Sequence, residues 1–553
     1  PGTDVYVDAY GGANPFGTVY TQATLDMMDA GGIHILAPAS GMYGGPSIFV
    51  QDSDPGHGTP APIDVSGALF LDAATGGSVN ASTDIVTHGT ADFDGAGPLP
   101  SGGLLIGGGT VSLQGIAASG GGVYVQANTG GLVIYGGVSA SGNLGAFTNP
   151  ISLDTESNIG VLLAGATGVE TDGPVSAATG AVYVNGGGGA VTLLGTVVAG
   201  GRVSSVDHVN GAIPGVNDGL GVGILAGNGV LVDQAVDAGA GRIGINADQF
   251  NAGVGVLTIS STGSLTTTSG DHFFDTTGTI MPTGRPAIDL WAADMDILGA
   301  VNAGAGGDIY LLATGSTPSI GLGGVTGQQF TLDNTELFNL HTTNSGFSHL
   351  YDGEIWIGDL AGTAPILLDG AIVPGRTVLH GASIDQTSPA VGLTADGLGF
   401  VTSGSVGLAS YGGGLTTKLY GLGGVAGGGV LVHNVGNPLG LPLPLTLVAT
   451  SAGGDILVTE AGDLSITGPE ASTAGSVALA ALGTLSSTST GTVGASGVHP
   501  AFVSTVTGDT ESGWGILLEA VGDVSLAGAL SATGGAVGVL SDGGNVSVAG
   551  SIT

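Results

Sequence analysis

The chain has 553 residues, 112 of them glycine, with 43 acidic side chains against five Lys and Arg and no cysteine. A formal net charge of −38 excludes nucleic-acid binding by phosphate neutralisation, and the missing thiols exclude disulfides and cysteine-based metal sites. An apolar content of 42% and a mean hydropathy of +0.45 exclude a disordered chain; no G-X-Y period supports collagen, and no unbroken apolar run is long enough for a transmembrane helix.

Residues 1–100 are expected to form irregular coils. Strand candidates are Asp4–Asp8, 18–20, 33–36, 47–50, Ile63–Val65 and 68–71, separated by Pro- and Gly-bearing turns. The best helical candidate in the chain is a single turn at 24–30.

Residues 101–320 are more regular. A Gly opens each unit (Gly115, Gly136, Gly173, Gly195, Gly299), an aliphatic follows two residues later (Val138, Val175, Val197, Val301), and then an Ala (Ala140, Ala177, Ala199, Ala303). Alternation at period two puts these side chains on one face of short strands. Three such strands per period of about 20 residues make one coil of a β-solenoid. Glycine at the corners is expected to supply positive φ. Where spacings stretch, loops are expected at 143–158, 202–221 and 269–287. Insertions at an equivalent point of different coils emerge on one side, which makes that side the variable or interacting one.

Residues 321–450 carry longer polar and aromatic insertions, and the Pro-rich stretch at 438–445 is expected to pack on something. Residues 451–553 return to the template, with a loop expected at 486–513. Glu470 stands where the template calls for an aliphatic. The chain opens at Pro1 without a leader and stops at Thr553 within a template strand. The expectation is therefore a segment, or a subunit whose ends are covered by more of the same chain or by a copy stacked head to tail.

Two features carry a family resemblance. One is the run Ala382–Thr387 (Ala-Ser-Ile-Asp-Gln-Thr) followed by Leu393-Thr394-Ala395. The other is Gly-Asp before Val, Ile or Leu at Gly307, Gly454, Gly462 and Gly522. Together with the strand cadence they resemble filamentous-haemagglutinin-like exoproteins, bacterial surface proteins many of which leave the cell by two-partner secretion. That family's N-terminal secretion domain is not visible. The resemblance implies a right-handed parallel β-helix, an extracellular location at the bacterial cell surface, and a structural or adhesive role without a required cofactor.

Catalytic motifs are thin. Gly56-His57-Gly58 beside Asp52 and Asp54 is similar to one motif of pectin hydrolases, but its companion motifs are missing, and a His between glycines is more often a turn residue. Five scattered cations cannot line a cleft for uronates. Two D-x-D pairs, Asp92 with Asp94 and Asp294 with Asp296, could seat a divalent ion such as Ca²⁺; the plainer reading is paired solvent-facing carboxylates, supported by Met295 at a core position. The acidic surface fits Ca²⁺ as an external counter-ion, or simply a solvating charge. Trp291, Trp356 and Trp514 follow loops and read as packing residues rather than a carbohydrate platform.

The reading is an all-β protein, a parallel β-helix with loop insertions, serving as an extracellular structural element of a surface fibre. The alternatives are an adhesin that binds glycan or host protein through its loops, and a polysaccharide-degrading enzyme.

Overall fold

The computed structural model describes residues 4–8, 17–21, 33–37, 48–51, 62–73, 77–89, 103–145, 147–148, 155–205, 219–271, 286–316, 318–342, 353–359, 361–388, 390–407, 413–499, 502–503 and 510–553. The regular structure among these residues is strand apart from one short helix, and the long pairings are parallel: the fold is a parallel β-helix. The chain divides into two compact units, Pro1–Asp271 with Pro286–Gly307, and His272–Arg285 with Asp308–Thr553.

In the first unit each coil supplies one short strand to each of three faces. Val175–Ala177 shows how the coils stack. It pairs with Val138–Ala140 on one side and Val197–Ala199 on the other, so that Val138, Val175 and Val197 lie in one column. Each of these valines is at most 1% exposed, and Val169, Val191 and Leu257 on the neighbouring face are at most 2% exposed. Burying each such side chain contributes on the order of 1.5–3 kcal/mol, and stacking pairs every backbone group with the coils above and below. Where template spacing stretches, the strands still pair directly, so the extra residues are thrown out between them.

The template glycines do a different job from the one expected. None of those at 115, 136, 173, 195, 299, 468, 528 or 550 has positive φ. They are needed because successive coils approach too closely for a side chain. A Cβ on Gly195 would lie 2.1 Å from the Gly173 carbonyl oxygen, and one on Gly550 would lie 1.9 Å from that of Gly528.

The insertions share one corner. Those after Val138–Ala140 and Val197–Ala199 leave the second strand of a coil and return at the third, at Ile159–Gly165 and Leu220–Leu225. Part of the inserted chain forms a small antiparallel sheet, with Phe147–Thr148 and Ser204–Ser205 flanking Thr155–Ser157. Beneath lies a second apolar cluster outside the coil, where Tyr124, Leu162 and Tyr183 are covered by Leu144, Val203 and Leu220. Burial there pushes the Tyr124 hydroxyl up to about 12.

In the second unit the arrangement of faces changes along the stack. Leu445–Ala452 is one strand of eight residues, yet its two halves pair with different strands in the next coil. Leu445–Leu447 pairs with Leu464–Ile466, whereas Thr450–Ala452 pairs with Glu470–Ser472. Gly468 lies in the new corner, where a Cβ would collide with the Val448 carbonyl. Val430–Asn434 meanwhile pairs with Leu415–Lys418 and, through Val430, with Val406. One face is thus gained as two others merge.

Two expectations need correction here. The loop at 486–513 is shorter than read: Leu485–Ser487 and Val493–Ala495 are ordinary coil strands, held inward by Leu485, Val493 and Ala495 despite the Ser- and Thr-rich sequence between them. The Pro-rich stretch does not pack away. Leu439 is 70% exposed, and Leu441 and Leu443 also face solvent, while the Asn437 side chain pins the turn through the Leu441 backbone. The one α-helix among the described residues is Asn334–Phe338, started by a capping box between Asp333 and Glu336. The helical turn expected at 24–30 lies outside the described residues.

Candidate functional site: a polar stretch of the interior

The columns that fill the coils are aliphatic along most of the stack. Buried polar side chains such as Thr171, Thr377 and Gln386 occur elsewhere too, and the strands between residues 415 and 472, where the faces rearrange, carry a set that includes two buried acids. Asn434 is 3% exposed and sits at the end of Val430–Asn434, directly before the corner. Its Oδ1 accepts from the Thr417 hydroxyl and from the Leu419 backbone N–H, both at 2.9 Å. Its Nδ2 donates to the Gly436 carbonyl at 2.9 Å and to Glu460 Oε2 at 2.6 Å. Glu460 is the register partner of Asn434 one coil on, and its other oxygen accepts from the Gly462 N–H at 2.8 Å. Burial pushes the Glu460 carboxyl above the usual range, helped by the nearby Asp463, while the bonds from Asn434 and Gly462 pull it back. Every polar group of Asn434 is therefore matched, which makes this a satisfied network that fixes the corner.

Glu470 is different. It is 1% exposed and faces inward between Thr450 in one adjacent coil and Val493 in the other. Neither carboxyl oxygen has a hydrogen-bond partner among the described residues, and the same holds for the Thr450 hydroxyl beside it. Burial pushes the Glu470 carboxyl up to about 8, and Thr450 offsets that only in part. The sequence singled Glu470 out as a break in the template; the structure adds that the break is a buried acid.

A three-residue constellation that the sequence did not reveal lies on the outside of the first unit. His88 Nε2 is 2.7 Å from Asp64 Oδ1, and its Nδ1 is 2.7 Å from the Ser119 hydroxyl. The residue types are those of a hydrolytic triad, contributed by three successive coils. Its setting is unlike one: the His88 and Asp64 side chains are 45% and 58% exposed, and the Ser119 hydroxyl also bonds the Thr87 carbonyl. A triad needs its acid shielded from water to hold the imidazole. We read the group as a clasp across coils.

Asp294 and Asp296 flank buried Met295 on Asp294–Ile297, with Asp296 exposed and Asp294 half-buried. They pair in register with Val256 and Thr258, which adds no further carboxylate. Among the described residues no group of three or more His, Asp or Glu converges as a metal site. Asp92, Asp94 and the 56–58 tripeptide lie outside the described residues.

Trp356 is 3% exposed, 5.3 Å from the Tyr310 ring and 6.4 Å from the His380 ring. Burial lowers the His380 pKa, an effect that Asp359 partly opposes. Beside them Arg376 pairs with Glu354 at 2.7 Å. Trp291 is half-buried, donating to Asp289 at 2.6 Å. Trp356 has no exposed face on which a sugar could stack.

The Gly-Asp starts acquire a physical reason. Asp455, Asp463 and Asp523 each accept the backbone N–H of the next coil, from Ser476 at 2.7 Å, Thr484 at 2.6 Å and Asn545 at 2.7 Å. Asp308 does the same for Glu354 at 2.8 Å. A carboxylate at this place ties two coils at the point where a strand starts.

No family model, no curated protein and no solved structure matches the chain. Among the described residues no helix is long and apolar enough to cross a membrane.

Proposed function

We propose that the chain is a non-enzymatic structural element of a bacterial cell-surface fibre. The observation that carries this reading is the repeated coil whose insertions leave at one corner and root in an apolar cluster of their own. Such a scaffold spaces loops along one side. In a coil stack of this kind a second copy can add at an open strand edge by backbone pairing. An exterior with a net charge of −38 repels its copies laterally, and Ca²⁺ bridging would relieve that. Bundling is then expected to depend on divalent ions and to be reversed by a chelator in electron micrographs.

The second reading is an adhesin that uses the same loops. It is favoured by the antiparallel sheet that joins two insertions into one exterior module. Glycan-array binding that disappears on deletion of 206–218 would select it. A polysaccharide turnover screen tests the structural reading itself: no turnover is expected, and depolymerisation of any substrate would replace it with the enzyme reading.

A further inference from the structure

We infer that Glu470 is a proton-operated latch: while its carboxyl is protonated the coil at 445–472 stays closed, and ionisation opens the seam between Thr450 and Val493. The geometry comes first. Glu470 begins one of the two strands into which Leu445–Ala452 divides, immediately after the tight Gly468-Pro469 corner. It is therefore held by a short strand of three residues at the place where the stack changes its faces. Its oxygens point into the interior without partners, unlike those of Glu460, which are bonded by Asn434 and Gly462.

Among the described residues no charge stands ready to neutralise an ionised Glu470. The register strands Leu445–Ala452 and Val493–Ala495 carry no titratable side chain, nor do the flanking strands of its coil, Leu464–Ile466 and Val477–Ala481. The nearest titratable groups along the chain are Glu460 and Asp463, both acids. Asp463 is engaged by Thr484, and Glu460 by Asn434. An ionised Glu470 must therefore leave the interior to reach water, which a protonated one need not do.

The direction with pH follows. Burial pushes the folded carboxyl up to about 8, against 4.5 for an exposed one. The closed coil is at its most stable below the lower value. It weakens as pH rises, and the loss is complete once the folded value has been passed. Between the two values the opening equilibrium grows about tenfold per pH unit.

Hydrogen exchange resolved to peptides reads this directly. Wild type, Glu470→Gln and Glu470→Leu are compared at matched pH from 5 to 9, so that intrinsic exchange cancels. Opening of peptides covering 445–452 and 470–472 in wild type, relative to Glu470→Gln, is expected to rise by about tenfold per unit and to level off above about 8. Peptides at 175–199 serve as a control and should show no such ratio. Glu460→Gln should keep the wild-type slope. A ratio that stays flat across this range, or a slope that survives in both Glu470 variants, overturns the inference. If Glu470→Gln packs poorly, Glu470→Leu restores the template side chain and serves as the reference.

Discussion

The column through Val138, Val175 and Val197 and the column through Thr450, Glu470 and Val493 are each built on a parallel ladder of their own unit. The first repeats one aliphatic shape, so each coil presents the next with the surface it already fits. The second interrupts that repetition where one strand becomes two, and there a buried acid stands in the column. The contrast separates two demands on a stacked fold. Backbone pairing is satisfied by any residue and carries the stack across the break. Side-chain packing is local, and only where faces change does the interior make room for Asn434, Glu460 and Glu470. One polar set is fully bonded and the other is not, so the rearranged stretch holds a fixed point and a weak point.

Substitutions sharpen the contrast, beginning with the largest effect. Val197→Glu places a carboxylate in the aliphatic column with no rearranged corner to receive it. A loss of about 4 kcal/mol is expected, read as lost exchange protection across 175–199 at neutral pH. If that coil tolerates the change as the native one tolerates Glu470, the two regions do not differ as described. Gly195→Ala should cost about 2–3 kcal/mol in the same assay, because its Cβ meets the Gly173 carbonyl and the obstacle is backbone. Asp463→Ala should cost about 1–2 kcal/mol, seen as faster exchange at the Thr484 amide. Ser119→Ala should change stability by less than about 0.5 kcal/mol. In the wild type a fluorophosphonate probe should leave Ser119 unmodified, and covalent labelling there would turn the clasp into a nucleophile.

Much of the fold was legible in the sequence because a solenoid repeats its physics. The aliphatic-to-Ala interval marks inward positions, and the spacing between template glycines gives the register across an insertion, as the direct pairing of Val138 with Val175 demonstrates. The purpose of those glycines was not legible. Both positive φ and close approach demand the same residue, and only the carbonyl facing the missing Cβ tells them apart. The merging and splitting of faces was not read from the sequence either; its one local mark is that the inward alternation of Leu445–Ala452 slips at Val448-Ala449, where one strand comes to serve two. Glu470 was visible as an exception to the template, while its orphaned oxygens depend on what the adjacent coils place beside it. The Asp64, His88 and Ser119 group is spread over three coils, so no short motif could announce it.

The account rests most heavily on one claim, that strands separated by an insertion are direct neighbours in a parallel stack. The absence of native cysteine makes this testable by paired substitution. Ser139 and Ser176 are outward-facing register partners on either side of the first insertion, and Val198 lies one coil further. Under mild oxidation, Ser139→Cys with Ser176→Cys should form a disulfide, found by peptide mass mapping, because adjacent strands lie about 4.8 Å apart, within disulfide reach. Ser139→Cys with Val198→Cys, two strands apart, should not. A cross-link between 139 and 198, or none between 139 and 176 in protein that keeps its β circular dichroism, would contradict the stacking.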